Sequence, residues 1–499
     1  MAENNQTKQL VSIDGEDHSP LRGERSLDPT NWSEFRQLAH EALDEAIEFL
    51  ETVRERPVWQ PVPAEVRAHL SAALPRETTP LRTVYQEFTE YVLPYATGNI
   101  HPRFFGWVHG SGVAGNIVAD ILAAAMNSNC GGRDHGAIYV EREVIAWMKE
   151  LFGFPEGASG LIVSGTSMAT LIALGVARDT VSEKMRREGV KCVEGNLTAY
   201  ASCEVHSAAL KAMEILGIGS AGLRTVSANP AFSIDIDALR KAIARDREVG
   251  YVPFCVIGSA GTVNTGAIDD LDQLASLCAA ERVWLHVDGA FAAMCMTSER
   301  LRGRLNGIER ADSLAFDFHK WAHVQYDAGC LLVRSGQAHR AAYAMEPAYL
   351  HHVGRGLSGG EDWPCDFGPE LSRGFRALKV WFTFREHGAD RIGELVEQNC
   401  AQAQYLARRI KSEQQLELLA PVHLNIVCFR LRREGLDAAA LDQLNEDIVA
   451  DVQESGVAAP STTRIHGELA IRVNITNHRT QMSDLDVLVD AVLKAAALR

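Results

Sequence analysis

Five short apolar segments of the sequence are each followed by residues that could bind or transform a ligand. In chain order, these residues are Ser164–Ser167, Ser202–His206, Ser259–Thr262, Asp288–Ala290 and Asp317–Lys320. The apolar segments are typical of buried strands, and helical patterns lie between most of them. Ligands of a parallel sheet bind outside the carboxyl ends of its strands. We therefore expect the five groups to converge on one site.

The first group is suited to hold a phosphate. Gly165 permits close approach of a backbone, and Thr166 and Ser167 supply hydroxyl groups at the start of an apolar helix. The start of a helix offers free N–H groups and the positive end of its dipole, both of which favour an anion. A plain Ser/Thr helix cap without any ligand would explain these residues as well, so the motif alone leaves both interpretations open.

Three residues of the other groups add charge and proton chemistry. Asp288 ends a buried strand, where a carboxylate needs a cation or donors, so it could pair with a protonated ring nitrogen. Lys320 lies between aromatic residues and could act as an amine nucleophile. His206 precedes an apolar helix and could stack on a flat ligand or transfer protons. Singly, each has a structural explanation, as a turn cap, a surface lysine and a capping histidine, but their convergence favours a site.

Two other patterns are discounted. The segment 217–222 matches G-x-G-x-x-G, but it follows a helical pattern instead of a strand, so it predicts a helix end and not a dinucleotide site. His319 and His323 are four residues apart, but no helix is predicted there, and the sequence has neither H-E-x-x-H nor paired C-x-x-C. We therefore expect no metal site.

The composition limits the class of protein. The 499 residues carry a formal charge of −16, which disfavours a nucleic-acid partner. No apolar stretch reaches 18 residues, so no association with a membrane is expected. The ten cysteines form no C-x-x-C pair, and several lie in apolar runs, as expected of free thiols in a reducing compartment. With a polar N-terminus that lacks a signal-peptide pattern, these features predict a cytoplasmic protein.

The remaining pattern predicts an α/β fold in four parts. Residues 1–30 are polar and are expected to form a flexible tail. Residues 31–115 contain two predicted helices. Residues 116–390 alternate apolar strands with helices, which indicates a mostly parallel sheet covered on both faces, and residues 391–499 predict a small α+β domain. The strands predicted in the large domain are Leu161–Val163, Leu197–Ala201, Phe254–Ile257, Val283–Val287, Ser313–Phe316 and Leu331–Val333.

Several segments resemble one family. They are HPRFFGW (101–107), VEREVIAWM (140–148), WLHVDGAFAA (284–293), DSLAFDFHKWAHVQYDAG (312–329) and SRGFRALKVWF (372–382). In type, place and order they resemble segments of the pyridoxal-phosphate-dependent group II amino-acid decarboxylases, such as aromatic-L-amino-acid decarboxylase. The resemblance implies the fold-type I, aspartate aminotransferase-like architecture. It also implies a homodimer in which an N-terminal helical segment extends the interface.

The same resemblance implies roles for the matching residues. Lys320 would form the Schiff base with pyridoxal 5′-phosphate (PLP), and Asp288 would pair with the pyridinium nitrogen. His206 would stack on the ring and take part in proton transfer. The other residues that it places at the site are Gly165, Thr166, Ser167 and His319 on the phosphate, Thr262 and Ala290 along the ring, and Phe105 and Trp107 at the substrate side chain.

The sequence departs from the family pattern in two places. Family members often have Asn and Pro before the His-Lys pair, where this sequence has Asp317 and a phenylalanine. Because an anion near a phosphate is unfavourable unless it is paired or turned away, Asp317 is not assigned to the phosphate. Many relatives also carry a loop tyrosine that returns a proton, but residues 350–375, which include a Gly-rich segment expected to be a mobile loop, contain none. His351, His352 and Cys365 are candidates to replace it.

The main hypothesis is PLP-dependent decarboxylation of an L-amino acid to its amine and CO2, through an external aldimine and a quinonoid. An aromatic substrate is favoured by analogy and by the Phe-rich segment 101–107. Relatives without the loop tyrosine can release an aldehyde, ammonia and peroxide, so oxidative decarboxylation-deamination, or another C–C lyase activity, is the alternative. A non-catalytic relative of the fold is a third interpretation, and the presence of both Lys320 and Asp288 argues against it.

Overall fold

The computed structural model describes residues 26–345, 355–360 and 362–499. Most of the expected tail, the expected mobile loop in part, and His351 and His352 lie outside the described residues. Residues 26–30, at the end of the expected tail, are neither helical nor extended into a strand. In the described ranges, no helix combines the length and the apolar character needed to span a bilayer.

A seven-stranded sheet forms the centre of the large domain. Its strands are β1 (Ser159–Val163), β2 (Leu197–Ser202), β3 (Leu223–Val226), β4 (Val252–Ser259), β5 (Trp284–Asp288), β6 (Ser313–Asp317) and β7 (Gly329–Val333). They lie in the order β1-β7-β6-β5-β4-β2-β3. All neighbouring pairs from β6 to β3 are parallel, and β7 is antiparallel to both β1 and β6. The α/β class and the mostly parallel sheet predicted from the sequence are therefore confirmed.

Helices flank this sheet and connect its strands. In the N-terminal and large-domain regions they are α1 (Trp32–Glu51), α2 (Ala64–His69), α3 (Leu81–Tyr91), α4 (Gly115–Met126), α5 (Gly136–Leu151), α6 (Thr166–Asp179), α7 (Met185–Glu188), α8 (Ser207–Ile215), α9 (Ile236–Glu248), α10 (Leu271–Glu281), α11 (Gly336–Tyr343) and α12 (Arg376–His387). The apolar helix α6 packs on β5, β6 and β7. All five residues of β7 are buried, as expected of a strand covered on both faces. Each fully buried Leu or Val contributes roughly 1.5–3 kcal/mol of transfer free energy.

A second, four-stranded sheet forms the small domain. Its strands are β8 (Leu416–Leu418), β9 (Ile426–Leu431), β10 (Ser461–Ile465) and β11 (Glu468–Asn474), and its helices are α13 (Ala389–Lys411), α14 (Ala438–Glu454) and α15 (Met482–Leu498). The strand order is β10-β11-β9-β8, and every neighbouring pair is antiparallel. Buried Arg472 of β11 donates to the carbonyl oxygens of Val263 and Trp107. The small domain is thereby joined to the segment after β4 and to the segment 101–107.

The structure extends the predicted elements and adds one strand. Each predicted strand is present and is longer by one or more residues at one or both ends, except that β5 begins at Trp284, one residue after the predicted start. The segment Leu223–Val226 forms the edge strand β3, which was not predicted because polar Arg224 and Thr225, one partly buried and one exposed, interrupt its apolar run. The predicted boundary between residues 115 and 116 falls within α4, so it does not coincide with a loop.

Candidate active site

A cavity of about 490 Å³ opens at the carboxyl ends of the parallel strands. It is lined by all nine residues that the resemblance placed on the cofactor: Gly165, Thr166, Ser167, His206, Thr262, Asp288, Ala290, His319 and Lys320. These residues come from the ends of five strands of one sheet, and their convergence follows from the parallel strand directions. The volume lies in the range of ordinary small-molecule sites.

The N-terminus of α6 forms one end of the cavity. Gly165 precedes the helix, and its Cα lies so close to Gly329 that a Cβ on Gly329 would stand 2.5 Å from it. Thr166 opens the helix, and its buried hydroxyl has no hydrogen-bond partner among the described residues. Buried hydroxyl groups normally have a hydrogen-bond partner. At the positive end of a helix, a phosphate oxygen could accept the hydrogen bond that the Thr166 hydroxyl lacks.

Asp317 and Lys320 form an ion pair beside this helix end. Lys320 Nζ lies 2.8 Å from Asp317 Oδ2, and Asp317 Oδ1 accepts from the Thr166 N–H at 2.7 Å. Burial by itself would raise the pKa of Asp317, but Lys320 and His319 outweigh it, so that the pKa lies below its ordinary value. Asp317, which was not assigned to the site from the sequence, lies at the cavity and is paired with Lys320.

His319 lies between the ion pair and Tyr326. Its Nδ1 accepts from the Ala328 N–H at 3.1 Å, so the neutral ring carries its proton on Nε2. That Nε2 is 3.7 Å from Asp317 Oδ2. Burial lowers the pKa of His319, Asp317 opposes this, and Lys320 adds to it. His319 therefore presents an N–H donor to the cavity at the same end as Thr166.

Asp288 lies at the end of β5, with the exposed part of its side chain facing the cavity. Its Oδ1 accepts from the Ala290 N–H at 3.0 Å, which fixes the carboxylate at the turn after the strand. Burial raises the pKa of Asp288, and the positive charge of Lys320 partly offsets that shift. A cationic N–H group placed in the cavity would supply the partner that favours the ionised form.

His206 and Thr262 occupy the side of the cavity formed by β2 and β4. His206 caps α8, and its Nδ1 accepts from the Ala208 N–H at 3.2 Å, which leaves the ring exposed toward the cavity. Thr262 is buried, and its hydroxyl accepts from the Ala267 N–H at 3.1 Å and contacts Thr265 Oγ1 at 3.0 Å. His206 therefore presents a flat ring to the cavity, and Thr262 forms a buried part of its wall.

Three rings form what we call the aromatic wall of the cavity: Trp107, His109 and Tyr326. Trp107 and His109 are stacked at 5.8 Å between centroids, and the Tyr326 ring meets the edge of His109 at 6.2 Å. Tyr326 also contacts the His319 ring at 4.4 Å. Burial raises the pKa of Tyr326 to about 12, so its phenol keeps its proton at neutral pH.

Three residues that line the cavity were not predicted from the sequence: His109, Tyr326 and Glu204. Glu204 lay in a recognised strand-end group, but nothing in the sequence distinguished its side chain. Phe105 is corrected: it is fully buried in the core of the small domain and is not among the lining residues. Segment 101–107 runs through turns, and Trp107 has a positive φ of 48°, so Phe105 and Trp107 can face different sides although they are close in sequence.

The donor set fits PLP. The buried hydroxyl of Thr166 and the Nε2–H of His319 suit its phosphate, the Asp288 carboxylate suits its ring nitrogen, and the Lys320 amine suits its aldehyde. The mostly parallel sheet and the small antiparallel domain agree with the fold-type I architecture that the resemblance implied. The fold and the cavity together define a PLP-dependent enzyme of this class.

Comparison with known proteins narrows the class to a family. The pyridoxal-dependent decarboxylase conserved domain matches residues 63–432. An aromatic-L-amino-acid decarboxylase of Bacillus atrophaeus is 33% identical over 456 residues, which are 91% of this chain and 93% of that protein. Tyrosine decarboxylase 1 of Narcissus pseudonarcissus is 28% identical over 464 residues, 90% of this chain and 89% of that one. The crystal structure of Oryza sativa TDC with PLP and tryptamine has a TM-score of 0.87 at 26% identity, covering 95% of this chain and 99% of that chain.

The chain belongs to the pyridoxal-dependent decarboxylase family, as the resemblance in its sequence predicted. It is a PLP-dependent carboxy-lyase that decarboxylates an amino acid.

Proposed function

We propose that the substrate is an aromatic L-amino acid, converted to its amine and CO2, with Lys320, Asp288 and His206 as the catalytic residues. The observation that supports the substrate class is the aromatic wall, which places three rings on the cavity that holds Lys320. Flat, polarisable rings bind another aromatic ring through offset stacking and edge contacts. Relatives named for aromatic amino acids agree with this class.

The phosphate end of the cavity fixes the position of the cofactor. We assign the phosphate to Gly165, Thr166, Ser167 and His319, which bring a close backbone, hydroxyl groups and an N–H donor together at the N-terminus of α6. A phosphate held at that helix end gains from the helix dipole as well as from hydrogen bonds. Thr262 and Ala290 then bound the space between this end and Asp288.

The catalytic residues act on protons and on orientation. When bound, PLP accepts the electron pair left by the departing CO2. Asp288 holds a proton on the ring nitrogen, because its carboxylate at the end of β5 favours an adjacent N–H cation. Lys320 supplies the amine that the substrate displaces and that later releases the product. His206 covers one face of the cavity with a ring whose Nε2 can give or take a proton.

The two candidate products are the amine and the aldehyde. Formation of the amine requires a residue that returns a proton to the substrate. Cys365 is not among the cavity-lining residues, so we do not retain it as the donor. His351 and His352 lie outside the described residues. Tyr326 lines the cavity with a protonated phenol, which favours return of a proton and hence an amine product.

Product analysis with purified, PLP-loaded protein tests this proposal. We expect L-tryptophan, L-tyrosine or L-phenylalanine to give the amine, with kcat/KM at least about tenfold above that for L-glutamate. The products are identified by mass spectrometry in the presence of oxygen, peroxide is assayed in parallel, and D-tryptophan is the control. Preference for L-glutamate would refute the aromatic class. Aldehyde with ammonia and peroxide would refute the amine product and support oxidative decarboxylation-deamination.

We also propose that the chain forms a homodimer through its N-terminal helices and works in the cytoplasm. Helices α1 and α3 contact each other through polar side chains, including an Arg82–Glu41 ion pair at 2.7 Å. Several of their apolar side chains face solvent, with Val84 46% and Phe88 48% exposed on α3. Contiguous exposed apolar residues indicate a protein interface, and a second copy of the chain is its occupant. Ten free cysteines agree with a reducing compartment.

Light scattering of the purified chain tests the dimer. We expect a mass twice the 54.6 kDa of one chain at micromolar concentration. The double substitution Val84→Asp and Phe88→Asp places two charges on the apolar side of α3 and is expected to give the single-chain mass, because an unpaired charge in an interface is costly. Gln86→Asp adds a charge to the opposite side of the same helix and is expected to leave the dimer intact. A wild-type chain that is monomeric at tens of micromolar would contradict the proposal.

A further inference from the structure

The Asp317 carboxylate makes two contacts, one with each of its oxygen atoms. Its Oδ1 is fixed by the first N–H of α6, and its Oδ2 lies 2.8 Å from Lys320 Nζ. Only 3% of its side chain is exposed, against 21% for Lys320. A buried carboxylate anchored at one oxygen can hold a flexible amine at the other without a large loss of its own conformational entropy.

We propose that Asp317 is a positioning residue that holds the free amine of Lys320 inside the cavity whenever the lysine is not bonded to the cofactor. This inference rests on the proposed role of Lys320 as the residue that carries the cofactor. Lysine has four rotatable side-chain bonds, and a free amine at the cavity would otherwise spread over many positions in solvent. The ion pair keeps the amine beside the place where it is displaced by the substrate and to which it must return.

We expect the ion pair to open when Lys320 condenses with the cofactor, because the ammonium group of Lys320 is consumed in that reaction. For Nζ to condense with the aldehyde, the ammonium first loses a proton to solvent, the C–N bond forms, and the aldehyde oxygen leaves as water. The ion pair therefore weakens the binding of the cofactor, because its free energy is lost when the pair opens. A phosphorylated ligand without the aldehyde leaves the amine free, so the pair persists with that ligand.

The substitution Asp317→Asn isolates the charge. An asparagine has nearly the same shape, and its carbonyl oxygen can still accept from the Thr166 N–H, so the anchor is retained while the anion is lost. Asp312→Asn is the matched control, because Asp312 precedes the opposite end of β6 and its Oδ2 likewise accepts a backbone N–H, that of Leu285, at 2.8 Å. Asp312 does not line the cavity.

The first measurement is the acylation of Lys320 in the cofactor-free, full-length chain by acetic anhydride, quantified by peptide mass spectrometry. We expect Asp317→Asn to raise the rate of acylation at Lys320 about tenfold, since a charge-assisted hydrogen bond no longer holds the amine. Asp312→Asn is expected to match the wild type. An unchanged rate in Asp317→Asn would overturn the proposal.

The second measurement compares two ligands by their dissociation constants: PLP, and pyridoxine 5′-phosphate, which has an alcohol in place of the aldehyde. We expect Asp317→Asn to tighten PLP binding about tenfold more than it tightens pyridoxine 5′-phosphate binding. An equal gain for both ligands would mean that Asp317 acts only by repelling the phosphate, and it would overturn the positioning role. Borohydride reduction and peptide mapping of the wild-type holoprotein test the role of Lys320 separately.

If Asp317→Asn does not fold, the crystal structure of the wild-type, cofactor-free chain decides the question. A distance between Lys320 Nζ and Asp317 Oδ2 within about 3.2 Å supports the proposal, since that is the range of a hydrogen bond. A lysine turned into solvent, with Asp317 bound only to the helix end, would overturn it.

Discussion

Replacing Lys320 by alanine is expected to abolish both the absorbance band of the lysine-bound cofactor and measurable turnover. The amine at the end of β6 is the nucleophile that holds the aldehyde and later releases the product, and no neighbouring lysine lines the cavity within the described residues. We expect turnover to fall by at least about 10³-fold, the scale seen when a group that acts covalently is removed. Absorbance spectra of the PLP-treated protein and amine production measure the two effects.

Two further variants separate the chemistry of Lys320 from its charge. Lys320→Arg keeps a cation near Asp317 but cannot condense with an aldehyde, so it is expected to lose the band and the activity while retaining stability. Lys320→Ala leaves the buried Asp317 without its 2.8 Å partner, which is expected to cost about 3 kcal/mol of folding free energy in the cofactor-free chain. Lys211→Ala, on the exposed side of α8, is the control. Retention of the band by Lys320→Ala would contradict the lysine assignment.

Replacing Asp288 by asparagine is expected to keep the fold and part of the cofactor while removing most of the rate. Asparagine can still accept from the Ala290 N–H, so the turn after β5 is preserved and only the negative charge is lost. Without that charge the ring nitrogen has no anion to keep it protonated, and the loss of such a fixed electrostatic partner reduces kcat by about 10²- to 10³-fold. Asp288→Ala is expected to lose at least as much. Steady-state kinetics at saturating PLP give the value, and near-normal turnover would argue against a protonated ring nitrogen.

The pH dependence of stability gives an independent measure of Asp288. Burial raises the pKa of Asp288 in the cofactor-free chain, so ionisation of this carboxyl is harder in the folded than in the unfolded state. The folded state therefore loses stability as the pH rises from the ordinary aspartate pKa through the raised one. We expect Asp288→Asn to be more stable than the wild type near pH 7 and equal to it below pH ~3.5, in thermal melts without cofactor. Equal stability of the two proteins at neutral pH would contradict a raised pKa at Asp288.

The site was predictable from the sequence because strand ends are visible in it. A continuous apolar run marks a buried strand, and the first polar residues after the run mark its end, so five groups distant in sequence were expected to converge, and residues of all five line the cavity. The direction of β7 was not predictable, because a strand buried on both faces has the same apolar pattern in either direction. Edge strand β3 is too short and too polar for that pattern.

The residues that escaped prediction depend on contacts between segments. Phe105 and Trp107 belong to one aromatic segment, and only packing against the small domain decides which of them faces the cavity. Asp317 was set aside because an anion near a phosphate is unfavourable, but the turn after β6 brings Lys320 back to within 2.8 Å of it. Tyr326 reaches the cavity from further along the same β6–β7 connection. Such close approaches follow from backbone geometry and not from residue type.

The central claim is that the cavity at the strand ends binds PLP through Lys320. Borohydride reduction of the PLP-loaded, wild-type chain converts a lysine–PLP bond into a stable secondary amine, which proteolysis and tandem mass spectrometry locate. We predict one phosphopyridoxyl group per chain, on Lys320, and none in Lys320→Arg. A label on another lysine, or a chain that takes up PLP without any reducible bond, would contradict the account.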